Sequence, residues 1–193
     1  MYDLTFKKCA LKEFDFLVSK YGFKCVQSDY YYLRFESDIV FATVQYDPHK
    51  SFEMDFSIGR LDDLYDGIER PFYLGEIIRF SDSKKKEDYP ILFQASTPER
   101  VVRLVPKMAG LTEKYTKYFF GGDKVCFKAL SDFREKECDE YALKENLVRI
   151  RSAAKEAWNR KDYASVVALY EQVIDYITQL ECKQLEYSRK HLV

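Results

Sequence analysis

The segment Ser51–Ile58 reads SFEMDFSI. Phe52, Met54, Phe56 and Ile58 fall on one side of an extended chain, and Ser51, Glu53, Asp55 and Ser57 on the other. Such period-2 alternation predicts a strand in a sheet with one buried and one wet face. Immediately upstream, Ile39–Tyr46 (IVFATVQY) is apolar on both sides and predicts a central strand. Before it, Tyr31, Leu33 and Phe35 alternate with Tyr32, Arg34 and Glu36. Ser37–Asp38 and Asp47–Pro48–His49–Lys50 supply short turns. Three strands joined by such short connections make an antiparallel meander.

Leu11, Phe14, Leu17, Val18 and Tyr21 recur at helical spacing and end at Gly22. They predict one helix, which covers the apolar face of the meander. Downstream lies an acidic loop (Asp62, Asp63, Asp66 and Glu69, closing at Pro71). Leu74–Phe80 (LGEIIRF) reads as a short helix and 81–88 as a charged exposed loop. Ile91–Phe93 fits either a strand or a helix entry. Thr97–Pro98–Glu99 is a helix start, with Thr at the N-cap and Pro in the first turn. Pro106 and Gly110 predict a short or kinked helix, and Gly121–Gly122 ends it. From Asp123 onward there is neither Pro nor Gly. Long helices are expected over Asp123–Arg160, with a break near Cys138–Glu140, and over Tyr163–Lys190. The fold class is therefore α+β: a helix packed on an antiparallel β-meander, then a mostly helical C-terminal half. The expected division is 1–96 for the meander and 97–193 for the helical region, two parts that could also pack as one.

Composition excludes more than it assigns. The 193 residues are 47% hydrophobic and 33% charged, with a net charge of only −1. That balance makes no general electrostatic case for nucleic acid or an anionic membrane. Lys84–Lys86 is a short basic run offset by Asp82, Glu87 and Asp88. No apolar run approaches the roughly 18 residues of a membrane span. The N-terminal segment lacks the pattern of a signal peptide. Five scattered cysteines without a C-x-x-C pair read as reduced thiols, so the expected location is cytoplasmic. Cys25 and Cys126 are expected in apolar surroundings.

The usual chemistries find no constellation. His49 and His191 have no Cys or His at ligand spacing, so no metal site is expected. A nucleophilic Ser or Cys would lack an imidazole base, and no G-x-S-x-G occurs. The glycine pair follows a helix and precedes Asp123, which would repel phosphate. Carboxylate pairs exist at Glu53/Asp55 and in the acidic loop, but acids on a polar strand face are expected to stay solvated, with ordinary ionisation. No cofactor is implied.

Two resemblances extend this reading. Ala154–Ile174 (AKEAWNRKDYASVVALYEQVI) resembles one tetratricopeptide unit, a hairpin of two helices about a turn at Asn159–Asp162. Ala154, Tyr163 and Tyr170 carry the likeness. Val166 and Val173 stand where small residues belong, and Thr178 sits near the place of the closing proline. A plain helical hairpin is the alternative. FDFLVSKYGF, YYYLRFES, VQYD and FYLGEIIRF together resemble a class of small bacterial α+β proteins. Some of these sit beside secreted toxins as immunity partners.

The expectation is accordingly a non-enzymatic cytoplasmic protein-interaction module, in the form of an immunity-type inhibitor if the resemblance is followed. Its contact residues would be Tyr30, Tyr32, Arg34, Glu36, Glu53 and Asp55 on the wet face, with Asp62, Asp63 and Asp66 in the loop. Tyr and Arg are common interface anchors, and acidic groups steer basic partners. The alternative is a small-molecule-binding protein or enzyme with a pocket between sheet and helices, motivated by the surplus of tyrosines. A homodimer through Val173, Ile177 and Leu180 is a further, independent possibility.

Overall fold

The computed structural model describes residues 5–81 and 93–192. It is α+β, an antiparallel meander with helices followed by a long helical half. Contacts divide the chain into two units, 1–133 and 134–193. The helix expected to open the C-terminal half packs within the first of them.

The first unit begins with α1 (Thr5–Glu13) and α2 (Asp15–Ser19), two short helices where the apolar stripe predicts one. Phe14 stands between them, fully buried with Leu17, whereas Val18 is exposed. Gly22 has φ of +72°, the left-handed stop its position predicts, and the Phe23 N–H donates to the Leu17 carbonyl at 2.9 Å. The sheet runs β1 (Lys24–Ser28), β2 (Tyr32–Glu36), β3 (Val40–Tyr46), β4 (Glu53–Arg60) and β7 (Phe72–Tyr73), all antiparallel. Between β4 and β7 a small hairpin forms from β5 (Leu64–Tyr65) and β6 (Ile68–Glu69). After β7 comes α3 (Leu74–Ser81). β8 (Phe93–Gln94) pairs with the start of β4, so the end of the 91–93 run is strand; Ile91 and Leu92 lie outside the described residues, as does most of the 81–88 loop.

Leu33, Phe35, Val40, Ala42, Val44, Met54, Phe56 and Ile58 form the inner face and bury against Phe6, Ala10 and Phe14. Helix α4 (Pro98–Thr116), capped by Thr97 as expected, adds Val101, Val105 and Met108. It carries both Pro106 and Gly110 without ending. One inward position differs from expectation: Phe52 is 37% exposed, because it closes the β3–β4 turn with φ of +57° and precedes the strand.

Helix α5 (Lys124–Asn159) is continuous through Cys138–Glu140 and runs from the first unit into the second. In the second unit the expected hairpin is present. Lys161, at φ of +59°, turns the chain, and Asp162 caps α6 (Tyr163–Glu171) by accepting from the Ser165 N–H at 3.1 Å. Ala154 and Ala157 bury against Val166, Tyr170 and Leu185. The single helix predicted over 163–190 is instead two. A 3-10 turn at Ile174–Tyr176 separates α6 from α7 (Gln179–Lys190). Thr178 and Glu181 form a reciprocal capping box that starts a new helix, which is why the chain breaks there. Val173 is therefore buried and Leu180 exposed, so the proposed dimer stripe does not lie along one helix. Among the described residues no helix is long and apolar enough to cross a membrane.

Candidate functional site

Strand register arranges the outer face of the meander in rows. Tyr32 pairs with Gln45, and Gln45 with Asp55. Arg34 pairs with Thr43, Thr43 with Ser57, and Ser57 with Tyr73. Glu36 pairs with Phe41, and Phe41 with Gly59. The three rows differ in how far they are covered.

The third row is closed. Phe41 is buried although it points away from the inner core, and the Arg34 guanidinium lies 4.4 Å from its ring centre. Arg34 donates to Glu36 at 2.6 Å and makes a two-bond pair with Glu69 of β6 at 2.6 and 2.8 Å. Those contacts fold the β5–β6 hairpin onto the sheet, hold Glu69 below the usual carboxylate range and raise Arg34 further above its own. Asp66 and Gly67 form the hairpin tip, both with positive φ, as a type I′ Asp-Gly turn requires. The expected acidic loop thus contains a structured hairpin over Leu64–Glu69. Asp62 is paired with Arg60 at 2.8 Å. Asp63 lines a shallow hollow with Lys124 and Lys128, apart from the tyrosine-rich end of the face.

The first row opens into a groove of about 760 Å3 at the end of the sheet. Tyr30, Tyr31, Tyr32, Tyr46 and Tyr73 line it, with Asp29, Asp47, Glu53, Asp55, Gln45 and Ser51. Of the nine predicted contact residues, Tyr30, Tyr32, Glu53 and Asp55 come together here. Arg34 and Glu36 stand beside it in the closed rows, and Asp62, Asp63 and Asp66 lie elsewhere. Asp29, Tyr31, Tyr46 and Tyr73 were not anticipated: Asp29 and Tyr31 come from a turn, Tyr46 ends β3 on the side of the inner residues Val44 and Met54, and Tyr73 comes from a strand 18 residues beyond Asp55 along the sequence.

The expectation that strand-face acids stay solvated fails at Asp55. Burial pushes its carboxyl up to about 7, and the nearby acids Glu76 and Glu53 add to the rise. One donor opposes them, the Phe56 N–H at 2.7 Å. Asp47 is the opposite case. It accepts from the N–H groups of His49, Lys50 and Ser51, which hold it down at about 2. The groove therefore keeps a permanent negative charge at its turn end and a proton-sensitive one deeper in. Cys25, expected in the core, is exposed on β1. Among the described residues no group of three His, Cys, Asp or Glu side chains is placed to hold a metal ion.

Compared with protein-family models, curated proteins and solved structures, the chain matches none significantly.

Proposed function

We propose that this chain is a non-enzymatic protein-interaction module whose contact surface is the tyrosine-lined groove on the outer face of the meander. The observation that carries the reading is the lining itself: Tyr32, Tyr46 and Tyr73 from strands and Tyr30 and Tyr31 from the β1–β2 turn gather in one groove, beside a stretch of the same sheet that Arg34 and Phe41 already close. Tyrosines provide large contact area with little side-chain entropy to lose, and this is the composition of a paratope-like surface. The form we propose for this module is an immunity-type inhibitor, on the resemblance of its core motifs alone.

The test is partner capture from the native host followed by hydrogen exchange of the complex. Protection over 29–32, 45–55 and 73, with capture lost in the double variant Tyr32→Ala/Tyr73→Ala, supports the reading. Capture by that folded double variant at undiminished yield, or protection confined to the second unit, overturns it. A second reading, a small-molecule site or enzyme, draws on the groove volume, which falls within the range of ligand pockets, roughly 300–1,000 Å3. The groove lies on the outer face, not between sheet and helices where that reading first placed it.

A further inference from the structure

The outer face already contains one seated cation. The Arg34 guanidinium lies 4.4 Å from the centre of the Phe41 ring and is paired with Glu36 and Glu69. An aromatic face beneath and carboxylates at the edges are the groups that bind a guanidinium or ammonium well. One row along, the same kinds of group recur in the groove. Gln45 stands beside Asp55 in the register with Tyr32 beyond it, Tyr73 pairs with Ser57 two residues along β4, and Glu53 and Asp47 continue the acidic lining. Among the described residues, the lining contains four carboxylates and no Lys, Arg or His. Among the described residues, the charged groups that act on Asp55 are Glu76 and Glu53, both acidic. A groove of this charge repels acidic segments and favours basic ones.

We infer that the groove seats an arginine or lysine side chain from a basic segment of a partner protein, with the cation against Asp55 and Glu53 and its stem between Tyr32 and Tyr73. The inference rests on the interaction-module reading and names the chemistry of its partner. The sheet holds the tyrosines and carboxylates in register before binding, so little ordering is needed at the groove when a basic side chain enters.

The experiment uses the full chain and three short peptides of equal length: arginine-rich, lysine-rich and glutamate-rich. Binding is read by nuclear magnetic resonance shift changes and by titration. The expected result is shift changes concentrated at Tyr32, Gln45, Asp55 and Tyr73 for the two basic peptides and none for the acidic one. Asp55→Asn and Glu53→Gln, each shown to be folded, should each weaken the basic peptides at least tenfold. Equal binding of acidic and basic peptides, shifts located away from the groove, or unchanged affinity in both variants would overturn the inference. The two readings fail separately. A partner captured through the groove but unaffected by Asp55→Asn and Glu53→Gln removes the cation and leaves the module. Basic peptides that bind in the groove when no host protein does leave the cation and remove the module.

Discussion

Replacing Asp55 by Asn removes an ionisable group from a half-buried position while keeping its shape and an acceptor for the Phe56 N–H. In the folded chain the carboxyl titrates at about 7, against about 3.9 when unfolded. The unfolded chain therefore gives up this proton first as pH rises. Stability that is complete below about pH 4 is lost progressively until the folded carboxyl also ionises near 7. Linkage between these two values gives a loss of about 2.5 kcal/mol between about pH 5 and pH 8. Asp47, Asp62, Glu69, Asp162 and Glu181 are shifted downward, so their contributions disappear mainly below about pH 5 and do not mask it. Urea unfolding at half-unit pH steps measures the slope, with circular dichroism for the fold and Trp158 fluorescence as a reporter of the second unit. Wild-type stability should fall across this window. Asp55→Asn should be nearly flat and should exceed wild type at pH 8 by up to about 4 kcal/mol. Parallel curves for the two proteins, or an Asp55→Asn variant less stable than wild type at pH 8, would refute the placement of this acid in a desolvated site.

Three other perturbations test the surrounding structure. In Gly59→Ala the new Cβ would meet the Phe41 ring at 2.7 Å, and that ring is held beneath Arg34, so a stability loss of about 1–3 kcal/mol is expected in denaturant titration. Glu69→Gln loses the charge-assisted pair with a partly exposed partner. Stability should fall by about 1 kcal/mol, and exchange at Leu64–Glu69 amides should quicken as the hairpin lifts from the sheet. Thr178→Ala removes one side of the capping box of α7 and should cost about 1 kcal/mol, seen as reduced helicity and an earlier transition by Trp158 fluorescence.

The meander was legible because one face buries: Met54, Phe56 and Ile58 must alternate with polar neighbours for the sheet to cover its core. Strand β1 was not legible, since KCVQS is almost wholly exposed and is held by pairing with β2, not by burial. Two missed features did leave local signals. Asp66–Gly67 between short apolar runs is a hairpin turn, and Thr178 with Glu181 is a helix start. Each outcompetes a longer-range reading because it satisfies its backbone groups within a few residues.

By itself, then, the sequence determined the α+β class, the inner residues of β2 and β4, the central place of β3, and the hairpin built on Ala154 and Asp162, all set by periodicity and capping. Only the tertiary structure decided which polar residues form a site. Register set Tyr32, Gln45 and Asp55 in one row and Arg34 in the next, the β5–β6 hairpin closed over Phe41, and Tyr73 arrived from beyond it. The physical reason is that alternation tells which face a side chain occupies. Whether that face is wet, and what charge stands beside it, depends on strands and hairpins that come from elsewhere in the chain.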